Sequence, residues 1–208
     1  MTAPARHHWT VAEVADALGP SANVRNYLEQ RDVRRCLQAA SAIKPVARAC
    51  DVGCGYGRLT MVLAEVAKQV VGFERESTFV AEARRLLPQI EFHQIEALSN
   101  LPASSGSFDF VMTFTVLQHL GDAEARQVAA ELKRLGQGGC VLLTEETDAA
   151  FMDGAEGGGI TKGRAVATYG EWMRPFDLVL RFPRQIEPGY PRSDVGTYML
   201  FADSASRG

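Results

Sequence analysis

From residue 46 to residue 144, five short apolar runs occur with amphipathic segments between most of them, and the apolar runs are nearly continuous. A half-exposed strand shows a period of two, whereas a strand covered on both faces has no polar side to display. Five such runs separated by helical segments therefore call for a parallel sheet with helices on both faces. The expected strands are 46–52, 69–74, 90–95, 107–115 and 140–144. Between them the spacing predicts helices over 58–68, over 78–87 up to Pro88, and from Asp122 as N-cap through Ala125, Val128, Ala129, Leu132 and Leu135 to the stop Gly136-Gln137-Gly138-Gly139.

Outside this core the pattern changes. Thr10-Val11-Ala12-Glu13 has the spacing of a capping box and predicts a short helix to about Leu18, stopped by Gly19-Pro20. A second helix over 24–42 carries Tyr27, Leu28, Val33 and Leu37 before Lys44-Pro45 ends it. In the tail, 176–182 and 197–202 are strand-like, and the Pro- and Gly-containing connection between them leaves no room for a crossover helix, so they read as a closing antiparallel pair. The Gly-rich stretch 147–163 reads as a loop. The fold class is α/β, an open, doubly wound, mostly parallel sheet of seven strands with a C-terminal antiparallel hairpin. One domain is expected over 1–208, divided into N-terminal helices (1–44), core (46–145), loop and helix (147–175) and closing strands (176–203).

At 208 residues and 46% hydrophobic content the chain can bury a core without disulfides or metals. Its net charge of −3 comes from 22 basic and 25 acidic residues without a polybasic stretch, which disfavours nucleic acid and membrane surfaces as partners. There is no run of about eighteen apolar residues and no leader-like start, so a cytoplasmic protein is expected. Cys36, Cys50, Cys54 and Cys140 form no CxxC pair and read as small buried thiols. His7, His8 and His93 show no ligand spacing, and no metal is expected.

The sharpest local signal is Asp51-Val52-Gly53-Cys54-Gly55-Tyr56-Gly57, where the first strand gives way to a helix. Glycines there permit a tight turn and let a ligand approach bare backbone, with helix-start amides pointing at an anionic group. Glu74 ends the second strand 23 residues after Asp51, close to the separation at which an acid meets a ribose in dinucleotide sites. Glu96-Ala97 follows the third strand, where a second acid is placed to accept from an exocyclic amine. All three features fall at carboxyl ends of strands, where open α/β sheets bind ligands. A nicotinamide site would need a third glycine at the position of Arg58.

With Asp51–Gly57, Glu74, Glu96-Ala97, Phe108-Asp109, Val116-Leu117-Gln118-His119-Leu120 and 132–141, the chain resembles the class I (Rossmann-like, seven-stranded) S-adenosylmethionine-dependent methyltransferase superfamily over residues 47–145. The resemblance implies S-adenosylmethionine as cofactor. It places Gly53 and Gly55 along the methionine part, Glu74 on the ribose, Glu96-Ala97 beside adenine and Phe114 in the pocket lining, with Asp51, Cys54, Arg75 and Thr115 around them. It also implies that the second helix closes over the cofactor, where Tyr27 and Arg31 share a face and Arg31, or Arg34 or Arg35, would pair with the carboxylate. Two departures are Arg75, where an apolar residue usually packs on adenine, and Glu96, where Asp is commoner.

For catalysis, His119 is the one candidate general base, and packing beneath the cofactor or before Asp122 is the plainer expectation for it. Trp9, Phe151, Tyr169, Trp172 and Phe176 gather in the segments read as the acceptor side, which suits an apolar or aromatic small molecule. No Asn/Asp-Pro-Pro-aromatic segment and no Pro-Cys nucleophile occurs, so the expected activity is methyl transfer to oxygen or nitrogen of a small molecule. A protein or tRNA acceptor and a non-catalytic cofactor-binding module are the alternatives.

Overall fold

The computed structural model describes Thr10, Ala12 and residues 22–154, 160–186 and 194–207. The expected first helix and the acid of its capping box lie almost wholly outside these residues. In chain order the elements are α1 (Ala22–Ile43), β1 (Arg48–Val52), α2 (Thr60–Leu63), β2 (Gln69–Glu74), α3 (Ser77–Leu86), β3 (Glu91–Gln94), β4 (Phe110–Phe114), a 3-10 turn (Leu117–His119) and α4 (Asp122–Leu135). They continue with β5 (Cys140–Glu145), β6 (Met152–Asp153), β7 (Thr161–Lys162), α5 (Val166–Met173), β8 (Asp177–Gln185), β9 (Asp194–Ala202) and a closing 3-10 turn (Ser204–Arg207).

Seven strands form one sheet in the order β3-β2-β1-β4-β5-β9-β8, and β6 pairs with β7 separately. β1 lies parallel to β2 and β4, β2 to β3, and β4 to β5. β9 runs antiparallel to β5, and β8 to β9. Pro183 is accommodated because β8 is an edge strand, where a missing ladder donor costs least, and the register shifts beside it.

Side chains of the inner strands alternate across the sheet. Phe110, Met112 and Phe114 of β4, Cys140 and Leu142 of β5, and Tyr198, Leu200 and Ala202 of β9 enter one apolar layer with α1, α2 and α3. Val111, Val141, Leu143, Met199 and Phe201 enter the other with α4 and α5. Every residue of β4 and β5 is buried, which is why their sequences read as nearly continuous apolar runs, broken only by Thr113 and by Thr144-Glu145. At the amino edge, Asp109 ties β4 to β1: its Oδ2 accepts from the amides of Ala47 and Arg48 (both 3.0 Å) and its Oδ1 faces Lys44 Nζ at 2.9 Å. All four cysteines are buried free thiols. Among the described residues no helix is long and apolar enough to cross a membrane.

Three local expectations are corrected. The helix expected over 58–68 is α-helical only at Thr60–Leu63, because Val62, Glu65 and Val66 donate to carbonyls three residues back, the tighter 3-10 pattern. Asp122 is not an N-cap: Gly121 holds that position, and the Asp122 carboxylate binds Lys162 and Arg164 instead. Within 147–163, Met152–Asp153 and Thr161–Lys162 pair as a short strap.

α1 is joined to the far end of the chain by a buried carboxylate. Glu29 Oε1 accepts from Arg25 Nε (3.0 Å) and from Arg184 Nε and Nη2 (3.0 and 2.6 Å), while Arg58 Nη1 stands 2.5 Å from its Oε2. Burial alone would raise this carboxyl's pKa, but the guanidiniums of Arg184, Arg58 and Arg25 hold it at about 2. Stability from this group is therefore complete above the ordinary glutamate range and is lost as pH falls toward 2. Glu29→Gln leaves buried guanidiniums without their counter-charge and is expected to cost roughly 3–5 kcal/mol in urea unfolding at pH 7.

Candidate functional site

The parallel pairing of β1 with β2 sets Val52 opposite Phe73 and so starts the glycine loop beside the end of β2. The Gly53 and Cys54 amides both donate to the Phe73 carbonyl (2.8 and 3.2 Å). One residue later the Gly55 amide donates to Glu74 Oε2 at 2.8 Å, while Glu74 Oε1 accepts from the amides of Arg75 (2.7 Å) and Glu76 (2.9 Å). The loop and the acid are thus one hydrogen-bonded unit. Oε2 has taken one amide and keeps a lone pair for an external hydroxyl.

Two glycines serve different ends. Gly53, at φ +74°, has no room: a Cβ there would stand 2.5 Å from Val116 Cγ2, in the turn after β4. Gly55, at φ +55°, would direct a Cβ into space with no atom within 4 Å. Gly55 is therefore the point at which a ligand can approach bare backbone, with the Glu74 carboxylate alongside. On the β4 side Thr115 takes φ +54°, a conformation costing about 1–3 kcal/mol that concentrates at ligand sites, and its amide donates to the Thr144 carbonyl at 2.7 Å. The residues present fit an adenosyl amino-acid ligand.

Asp51 and Cys54 lie beneath the loop rather than facing it. Asp51 is 2% exposed and accepts the Thr60 hydroxyl at 2.7 Å, pinning the start of α2. Burial, with the Glu74 charge nearby, pushes its carboxyl up to about 7 against the Thr60 hydrogen bond. The Ile95 amide donates to the Glu74 carbonyl (3.0 Å), which carries exposed Glu96 and half-buried Ala97 to the same edge. The Arg75 guanidinium reaches Glu76 at 3.4 Å. Phe114 closes β4, with the guanidiniums of Arg184 and Arg58 4.9 and 5.8 Å from its ring.

Tyr27 and Arg31 lie on the exposed side of α1. α1 buries Glu29, Asp32, Val33, Cys36 and Leu37, and residues 27 and 31 fall on the opposite face. Tyr27 is 66% exposed, and Arg31 binds its neighbour Asp32 at 2.8 Å. The face that meets the loop presents Asn26 and Glu29, both bound to Arg58. Tyr169, Trp172 and Phe176, expected on the acceptor side, pack into the layer with α4; Phe151 is half-buried, and Trp9 lies outside the described residues.

Beyond Val116, the buried Glu145 gathers the amides of Val116, Leu117 and Gln118 at 3.0–3.2 Å, and Arg164 donates to the carbonyls of Leu117 (2.8 Å) and Leu120 (2.6 Å). Neither Glu145 nor Arg164 carries a sequence signal, since Glu145 acts through backbone amides and Arg164 through two carbonyls and the distant Asp122. Among the described residues no group of three His, Cys, Asp or Glu side chains could hold a metal ion.

The family model for a methyltransferase domain matches residues 49–139. A probable S-adenosylmethionine-dependent methyltransferase of Mycobacterium tuberculosis is 31% identical over 140 residues, 66% of this chain and 49% of that protein. A ubiquinone biosynthesis O-methyltransferase of Xanthomonas campestris is 31% identical over 158 residues, 70% of this chain and 64% of that protein. The chain spans about half the length of several curated relatives, between 40% and 49%. In fold it is similar to magnesium protoporphyrin IX methyltransferase of Synechocystis with bound S-adenosylmethionine, at TM-score 0.66 and 18% identity over 96% of this chain and 87% of that one.

Two outcomes follow from the loop geometry. Gly53→Ala should destabilise the fold by about 1–3 kcal/mol through backbone strain and the Val116 clash, and adding Val116→Ala should restore part of the loss, measured as a double-mutant cycle in urea. Because folded Asp51 keeps to about pH 7 a proton that the unfolded chain releases near pH 4, stability should fall as pH rises through that window. Asp51→Asn, read by thermal unfolding from pH 5 to 8, should flatten that slope.

Proposed function

The chain belongs to the class I S-adenosylmethionine-dependent methyltransferase superfamily, and we propose that it transfers a methyl group from S-adenosylmethionine to an oxygen or nitrogen atom of a small molecule. The observation that carries the cofactor reading is the Gly55–Glu74 unit: bare backbone over open space, hydrogen-bonded to a carboxylate at the next strand end. Ribose hydroxyls would donate to Glu74, the methionine part would run along Gly53 and Gly55, and Glu96-Ala97 would border adenine. Phe114 and Thr115 would line the pocket near the methyl group.

When bound, the cofactor supplies an electrophilic methyl on a sulfonium, so the protein's share is alignment, exclusion of water and proton handling. The turn after β4 and the strap of Met152–Asp153 with Thr161–Lys162 lie together and would frame the acceptor. A small acceptor is supported by a net charge of −3 without a basic stretch and by a relative whose name describes ubiquinone biosynthesis.

Calorimetry with S-adenosylhomocysteine, S-adenosylmethionine and NAD tests the cofactor, and turnover against small acceptors, a protein mixture and tRNA tests the acceptor class. S-Adenosylhomocysteine is expected to bind, and Glu74→Ala should weaken it about 10–100-fold through loss of hydrogen bonds to a charged acceptor. Tight NAD binding with none of the adenosyl ligands, or turnover confined to protein or tRNA, would overturn the reading.

A further inference from the structure

The glycine loop is held from two sides of Gly55. On the β2 side the Gly53 and Cys54 amides reach the Phe73 carbonyl and the Gly55 amide reaches Glu74. Past Gly55, among the described residues, the next side chain with a polar contact to another element is Arg58. Its Nη1 donates to Asn26 Oδ1 at 2.7 Å and stands 2.5 Å from Glu29 Oε2, both on α1. Asn26 and Glu29 are three apart and share a helix face, so one nitrogen with two hydrogens meets two acceptors. The Arg58 side chain is 17% exposed and that of Glu29 not at all, which leaves water little part in the contact.

The segment after the loop needs such a hold. Only Thr60–Leu63 are α-helical, and a helix of one turn has little stability of its own. α1 runs alongside as a frame: Asn26 meets Arg58, Gln30 Nε2 meets Met61 Sδ at 4.0 Å, and Arg34 makes two hydrogen bonds to Glu65 at 2.7 and 2.6 Å. Partners four apart on α1 and three or four apart on the other segment are those that share a helix face. The rungs differ in depth. Arg34 and Glu65 lie at the surface, where an ion pair counts for little. Arg58 is enclosed at the loop end, its guanidinium 5.8 Å from the Phe114 ring that closes β4.

Resting on the methyltransferase reading, we infer that Arg58 is a positioning residue for the cofactor: gripped by Asn26 and Glu29, it fixes the far end of the glycine loop, so that occupation of the loop and docking of the start of α1 are one coupled equilibrium. Gly55 and Gly57 sit at φ +55° and +85°, and glycine backbone samples many other conformations. A loop that binds through backbone loses affinity to the extent that the ligand itself must order it, and anchors on both sides of Gly55 remove that cost beforehand. The coupling is reciprocal: what α1 does for the ligand, the ligand does for α1. Arg58 also stands where a dinucleotide loop carries its third glycine. The arginine therefore exchanges close approach of a pyrophosphate for a tie to α1.

The test joins calorimetry with S-adenosylhomocysteine to amide hydrogen exchange over residues 22–30. Arg58→Met should bind about tenfold more weakly, inside the usual range of coupling between separate sites. Arg58→Lys should recover most of that loss, because one ammonium nitrogen can donate to both Asn26 and Glu29. Glu65→Gln, which breaks the exposed rung, should stay within about twofold of wild type. Saturating S-adenosylhomocysteine should slow exchange over 22–30 in the wild type more than over α4, and should no longer do so in Arg58→Met. Wild-type affinity in folded Arg58→Met, a lysine variant as weak as the methionine one, or an equal loss in Glu65→Gln overturns the proposal. Should Arg58→Met not fold, the wild-type exchange decides alone: no slowing over 22–30 beyond that of α4 overturns it. Absence of S-adenosylhomocysteine binding by the wild type would instead count against the proposed function.

Discussion

The parallel pairing of β1 with β2, Val52 beside Phe73, decides where everything at the carboxyl edge of the sheet lies. A slip of one residue would turn every side chain of β1 to the other layer. It would also carry Gly53 and Cys54 away from the Phe73 carbonyl that holds the loop. The same register sets the Gly55 amide on Glu74. Pairing of β1 with β4 then does the equivalent on the other side, bringing Val116 against Gly53. At the amino edge Asp109 locks the β1–β4 pair from below. The carboxyl edge is therefore shaped by apolar strands whose burial leaves them one register.

Burial acts on several carboxylates here, and its result depends on what each one faces. Glu29 meets three guanidiniums; a single pair at about 3 Å is worth roughly 5 kcal/mol at an effective dielectric near 20, so three outweigh a desolvation cost of several kcal/mol. Asp51 meets one hydroxyl and another acid, and desolvation prevails, pushing it to about 7. Glu145 accepts three backbone amides, yet burial still carries it to about 7. The loop is thus underlain by an acid that burial holds well above the usual carboxylate range, while the α1 side presents guanidiniums beside Phe114.

The strands were legible because burial on both faces leaves an unmistakable apolar run, and the loop because few residues other than glycine reach positive φ. The orientation of α1 was not. Its buried face carries Glu29 and Asp32, which look like a solvated face in sequence, while Tyr27 and Arg31, which look like a binding pair, point outward. The partner that makes Glu29 burial tolerable, Arg184, lies 155 residues away, beyond any local pattern. Tyr169 and Trp172 misled in the opposite sense, because an aromatic pair suggests a ligand wall and here fills the layer behind α4. On the β4–β5 side, Glu145 works through backbone amides and Arg164 through carbonyls and the distant Asp122, and no residue type marks such contacts.

Sheet order places β1 beside β4, the point at which the winding direction reverses and a crevice must open. The two walls of that crevice carry different kinds of information. On the β1–β2 wall, backbone amides and one carboxylate recognise a ligand through requirements on φ and on charge, and both leave a residue-type signature. On the β4–β5 wall, the strained Thr115, the Val116 contact and the His119 turn are positioned by amide-to-carboxylate and guanidinium-to-carbonyl bonds that many sequences can supply. A fold of this kind can keep one wall and vary the other, which is how a single scaffold comes to serve many acceptors. The β4–β5 wall is itself tied to the strap, through the 2.8 Å contact between His119 Nδ1 and the main-chain oxygen of Ile160 forty-one residues downstream.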